Sequence, residues 1–225
     1  LNKRSEYLTE LLLKGNEEQA WELVLDEHEQ LNGCLMLFQE LISPAMVRIG
    51  DLWETDAITV ADEHLATMTC DYVLSRYQHM LKKEKKDHVY DEQPRALFLC
   101  IEDEQHYLGL KMISIIFEDY GWNTKFLGAN LPLEYAMLAS EKWEPEVIGL
   151  SFSMAHYAPR LSEYVEKMEA QTHQPQVMIG GRMIAQYPHN YEHCCSKDTK
   201  LISTLGHLSD WLASYEEGAK SIVKH

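Results

Sequence analysis

Ala96-Leu97-Phe98-Leu99-Cys100-Ile101 is followed, after Glu102 and Asp103, by Glu104-Gln105-His106-Tyr107-Leu108-Gly109. The unbroken apolar run reads as a strand buried on both faces. A carboxylate, a histidine and a glycine at its C-terminal end suit a metal ligand. One ring nitrogen of His106 can meet a metal while Glu104 holds the other ring N–H, fixing the tautomer and raising ligand basicity. Gly109 removes a side chain where a bulky group must approach the backbone. A histidine after a strand is, taken alone, an ordinary loop residue, so the reading depends on what surrounds it.

Downstream, strand and helix alternate. Strands are predicted at Ala96–Ile101, Asn123–Leu127, Val147–Ser151 and Gln176–Ile179, with a short fifth at Lys200–Ser203. Helices are predicted at His106–Tyr120, Pro132–Lys142, Pro159–Ala170 and His207–Gly218. Such alternation implies an α/β fold, a parallel sheet flanked by helices. Ligands of these sheets bind beyond the carboxyl ends of the strands, at the switch point. His106, Gly128, Ser151 and Gly180 all follow strand ends and so converge on one edge.

Upstream, the first ~85 residues read as helix with short breaks. Asn16 is placed to cap a helix over Glu17–Gln30, with Trp21, Leu23, Val24 and Leu25 on its apolar face. A second helix runs from Leu35 to Trp53, kinked or broken at Pro44. Thr59-Val60-Ala61-Asp62 has the form of a capping box and opens a helix that continues to Met80. Four such helices make a small bundle. The charged run Lys82–Asp87 and Gln93-Pro94 form the linker, so residues 1–88 are expected to be a helical bundle and 94–225 a Rossmann-like domain.

The 36 acidic residues against 20 basic ones give a net charge of −16, which repels phosphates and makes the chain a poor DNA contact by itself. Five cysteines, odd in number and scattered, read as reduced thiols of a cytoplasmic protein. No apolar run approaches membrane-spanning length and no signal-peptide pattern is present, so no membrane partner is expected. The spacing of His189, His193, Cys194 and Cys195 matches no standard zinc pattern.

Glu104-x-His106-x-x-Gly109, Ser151-x-Ser153 and Gly180-Gly181 together resemble the motif set of the cobalamin-binding Rossmann-like (flavodoxin-like) domain. The resemblance implies that His106 replaces the nucleotide base as lower axial ligand of cobalt. It also implies that the displaced nucleotide tail runs past Ser151 and Gly180-Gly181. Two letters depart from the family pattern: Glu104 stands for aspartate and Ser153 for leucine. Upstream, Trp53 and, after nine residues, Glu63-His64 resemble the helical cap of the CarH/LitR-type light-sensing regulators. In those proteins the tryptophan and glutamate close over the adenosyl face of adenosylcobalamin. Singly, Trp53 reads as core, Glu63 as an acid at the positive end of a helix, and His64 as an exposed helix residue.

The resemblance thus implies a non-enzymatic cobalamin sensor, favouring the adenosyl form, that controls transcription through homo-oligomerisation or a partner regulator. Leu1 is not methionine; if it marks a trimmed start, a helix-turn-helix DNA-binding domain would precede it. The alternative is a corrinoid methyl carrier of a methyltransferase system, against which a bulky Trp53 over the upper face argues. A mutase is disfavoured because 225 residues leave no room for its barrel. One departure bears on mechanism. The regulators have a histidine after the tryptophan, able to ligate cobalt once the adenosyl group is lost; here that residue is Glu54. His64 is the nearest alternative in sequence.

Overall fold

A computed structural model describes residues 2–31, 33–84 and 93–222, the side chains beyond Tyr215 excepted. The chain divides into two compact units, Leu1–His88 and Val89–His225.

The first unit is helical: α1 (Lys3–Leu13), α2 (Glu17–Leu31), α3 (Cys34–Leu37), α4 (Ser43–Glu54) and α5 (Val60–Glu84). Between α3 and α4 the chain stays helical through a wider π turn over Phe38–Ile42. Of the kink or break expected at Pro44, the break does not occur, and the irregularity takes the form of this wider turn. Pro44 has no N–H to give the carbonyl four residues back, that of Glu40. The wider turn absorbs the loss, with Ser43 N–H donating to Phe38 O. Asn2 Nδ2 supplies the missing donor to Glu40 O at 2.9 Å, while Asn2 Oδ1 caps α1 by accepting from Ser5 N–H at 2.7 Å.

The expected caps form. Gln19 N–H donates to Asn16 Oδ1 at 3.3 Å, and Thr59 and Asp62 exchange backbone-to-side-chain bonds at 2.8 and 3.3 Å. Trp21 and Val24 are buried on α2 as expected, whereas Leu23 and Leu25 are only half-buried. Glu27, not anticipated, is buried on that face and paired with Arg4. The helix opened by Thr59 runs on to Glu84, past the expected end at Met80; Lys82, Lys83 and Glu84 of the proposed linker belong to it, and Lys85, Lys86 and Asp87 lie outside the described residues.

The second unit holds β1 (Arg95–Cys100), α6 (Leu108–Asp119), β2 (Asn123–Phe126), α7 (Leu133–Trp143), β3 (Val147–Ser151), α8 (Ala158–Glu169), β4 (Gln176–Gly180), α9 (Arg182–Gln186), β5 (Lys200–Leu201) and α10 (Leu205–Ile222). All strands are parallel, in the order β2-β1-β3-β4-β5. This is the flavodoxin-like order, whose switch point falls between β1 and β3. Alternation along β1 sends Leu97 and Leu99 into the core with Ala136 of α7 and Leu161 and Val165 of α8. Phe98 goes the other way, meeting Phe117 of α6 edge-on at 4.9 Å. Gly149 makes room for it, since a Cβ there would lie 2.4 Å from the Phe98 ring. Trp211 of α10 closes that layer against Trp122 and Phe117.

The short α9 and a 3-10 segment over Pro188–Cys194 were not anticipated. The first helix after β1 starts at Leu108 rather than His106, because His106 is engaged elsewhere. All five cysteines are free thiols, and among the described residues no cluster of three potential metal ligands forms, at His189–Cys195 or elsewhere. No described helix is long and apolar enough to cross a membrane.

Candidate functional site

The loop after β1 is built around one buried carboxylate. Glu104 is fully buried, while the His106 side chain two residues on is 67% exposed. Glu104 Oε1 accepts from His106 N–H at 2.8 Å and from His106 Nδ1 at 2.6 Å. Glu104 Oε2 accepts from the backbone N–H of Ser153, just beyond β3. Burial alone would raise the Glu104 carboxyl. The hydrogen bonds from the His106 ring, the His106 N–H and the Ser153 N–H outweigh it and hold the group below its ordinary range. An ionised acceptor on Nδ1 assigns that nitrogen a proton, so that in the neutral ring the lone pair falls on Nε2, the form in which imidazole ligates a metal. The longer side chain of glutamate serves both neighbours, one oxygen to each.

Ser153 enters this contact through its main chain, so serine in place of leucine leaves the contact intact. Ser151 ends β3 in register with Cys100 of β1 and Gly180 of β4, and is buried. The two glycines after β4 differ. A Cβ on Gly181 would fall 2.3 Å from Phe152 O, and its φ of +115° suits only glycine. At Gly180 a Cβ would meet only Ile202 O, at 3.7 Å. Gly109 sits in the first turn of α6, where a Cβ would meet nothing within 4 Å. Packing of the chain itself therefore does not demand glycine at 109, and the position offers open room beside the histidine. A carboxylate-held imidazole, an open glycine and a glycine-lined strand end together fit a corrinoid held through its metal.

Cys100, the last residue of β1, is buried, and that burial, with secondarily the charge of Glu104, pushes its thiol up to about 12. Sequence reasoning missed the residues that hold the loop's backbone. Tyr164, itself buried, accepts from Glu102 N–H at 3.1 Å and donates to Leu131 O at 2.5 Å. Arg160 donates to Glu102 O at 2.9 Å and to Asp103 Oδ2 at 2.6 Å. Asn130 sits in the loop after β2, where Gly128-Ala129-Asn130 was readable as a turn but not as a support for β1.

In the helical unit, Trp53 lies next to the end of α4 and is 47% exposed, so it is no core tryptophan. Glu63, in the first turn of α5, accepts from His64 Nδ1 and from Thr67 Oγ1, each at 2.8 Å. His64 is largely exposed, and Glu54 is the last residue of α4.

Residues 94–199 match a family described as the B12 binding domain, and residues 5–78 match a second family of that description. The chain is 27% identical over 128 residues to the HTH-type transcriptional repressor CarH of Myxococcus xanthus, covering 57% of this chain and 40% of that protein. It is 28% identical over 130 residues to the repressor CarA of the same organism, covering 55% and 41%. The chain thus spans about two-fifths of the length of these curated relatives. Its fold resembles the monomethylamine corrinoid protein of Methanosarcina barkeri, with a TM-score of 0.67 at 16% identity over 89% of this chain and 92% of that one. Helical and α/β units alike are accounted for by these matches, and the chain belongs to the B12 binding domain family: it is a cobalamin-binding module.

Proposed function

We propose that this module is an adenosylcobalamin-dependent light sensor that controls transcription through self-association or a partner regulator. The observation that carries the reading is Trp53, which stands half exposed near the end of α4 instead of filling the helical core. With Glu63 and His64 it keeps the spacing found in the CarH/LitR-type regulators, and CarH and CarA are themselves similar to this chain.

His106 would hold the cobalt, with Glu104 fixing its tautomer. Ser151, Ser153, Gly180 and Gly181 would flank the nucleotide tail, and Gly109 would admit the macrocycle. Trp53 offers a ring face for the adenosyl group, Glu63 an acceptor for its hydroxyls, and His64 lies beside them. When bound, adenosylcobalamin supplies a light-labile cobalt–carbon bond. The rival reading, a corrinoid methyl carrier, draws on the fold shared with the monomethylamine corrinoid protein.

The test is the absorbance and the size of the adenosylcobalamin-loaded protein before and after green light. A spectral change accompanied by a change of association state is expected. A size indifferent to light, with methylcobalamin bound as well as or better than the adenosyl form, would favour the carrier. Glu54 adds a finer expectation: illuminated wild type shows either no bis-imidazole spectrum or one that His64→Ala abolishes, and Glu54→His acquires one. A bis-imidazole spectrum in wild type that survives His64→Ala would overturn that reading of Glu54.

A further inference from the structure

The segment Glu102–Glu104, just ahead of His106, is pinned by two other loops and one helix face. Asp103 and Asn130 both adopt left-handed backbone, with φ of +69° and +53°. Asn130 clasps the segment at two points: Asp103 N–H donates to Asn130 Oδ1 at 2.8 Å, and Asn130 N–H donates to Glu104 O at 2.9 Å. From the other side come Tyr157, Arg160 and Tyr164, spaced to share one face at the start of α8. Tyr157 Oη donates to Asp103 O at 3.2 Å, and the Arg160 guanidinium lies 5.8 Å over the Tyr157 ring. Arg160 also binds the Glu102 carbonyl and the Asp103 carboxylate. Left-handed asparagine and aspartate cost backbone energy and persist where surroundings over-determine them.

We infer that Asn130 and Arg160 are positioning residues for the histidine arm, holding the Glu102–Glu104 backbone so that Glu104 presents His106 in a single orientation. Neither touches the imidazole. Both act through the backbone that carries its carboxylate partner. The inference rests on the proposed role of His106 as axial ligand, so its test must separate the two.

Protein labelled at histidine with the heavy nitrogen isotope is loaded with cobalamin and reduced to the Co(II) state, and the axial nitrogen splitting is read by electron paramagnetic resonance. A histidine ligand turns the three-line pattern of ordinary nitrogen into two lines. Wild type is compared with Asn130→Gly, which keeps the left-handed backbone and deletes the acceptor, and with Arg160→Ala and Arg160→Lys. Both deletions are expected to lower the histidine-bound fraction and speed cobalamin release by roughly tenfold, the scale of lost outer-shell support. Arg160→Lys is expected to recover part of the signal through its charge. Melting of the cofactor-free protein is expected to move little, because Arg160 is partly exposed and glycine accepts the backbone of Asn130. A two-line pattern in wild type that is unchanged in both deletions overturns the inference alone. A wild-type pattern still showing three lines overturns the ligand assignment, and the inference with it.

Discussion

The loop after β1, in the second unit, and the turn between α4 and α5, in the first, are built on opposite principles. Around His106 a fully buried carboxylate has both oxygens engaged, and its backbone is held by residues far away in sequence. Around Trp53 the bonding is local: Glu63 accepts from His64 and Thr67, and the indole is half exposed. The loop is assembled before any cofactor arrives, whereas the turn carries an exposed indole and a carboxylate bonded to near neighbours in sequence. Preorganisation lowers the cost of binding at the metal. A looser upper surface is what a switch requires, since it must respond to whether a group is present.

Five substitutions can break or sharpen this contrast. The largest effect is expected from His106→Ala, with retention of cobalamin weakened at least about 100-fold, at or beyond the upper end for outer-shell partners. Spectral titration and dialysis measure it; unchanged affinity would remove His106 as the ligand. Next is Gly181→Ala, where a Cβ 2.3 Å from Phe152 O on a positive-φ backbone should cost about 3 kcal/mol in chemical denaturation. Gly109→Ala is its counterpart. Stability should hold within about 0.5 kcal/mol while cobalamin affinity falls, separating a glycine needed by the fold from one kept for the ligand.

A smaller effect is expected at the upper surface. Trp53→Ala should leave the fold stable within about 1 kcal/mol, since the ring is half exposed. It should erase about tenfold of a preference for adenosyl- over methylcobalamin, read in competition binding. No preference in wild type would make the two regions alike after all. The smallest effect is at Asn2→Ala. Loss of the α1 cap and of the donor to Glu40 O should lower stability by about 1 kcal/mol in thermal unfolding, without touching cobalamin affinity.

The same contrast explains what was legible in the sequence. Strand positions, the parallel α/β class and the caps at Asn16 and Thr59 depend on local pattern, and they appear within a residue or two of where the pattern puts them. The Glu104–His106 pair is also local, two residues apart. What escaped reading was every feature made by distance. Asn2 compensates a proline far along the chain, Arg4 meets a buried Glu27, and Asn130 and Arg160 support a loop on another strand. None of these pairings has a spacing rule, because sheet order and helix packing create them.

The contact between Glu104 and residue 153 has a consequence for descent. It is made by a main-chain N–H, which nineteen of the twenty amino acids possess. As far as this contact goes, side-chain letters at 153 can drift without loosening the carboxylate, and only proline is shut out. A lineage could therefore rewrite the serine-x-leucine motif and still inherit the same grip on its histidine. Relatives are then better recognised by the carboxylate–histidine pair and the glycine at 181, whose chemistry leaves them no such latitude.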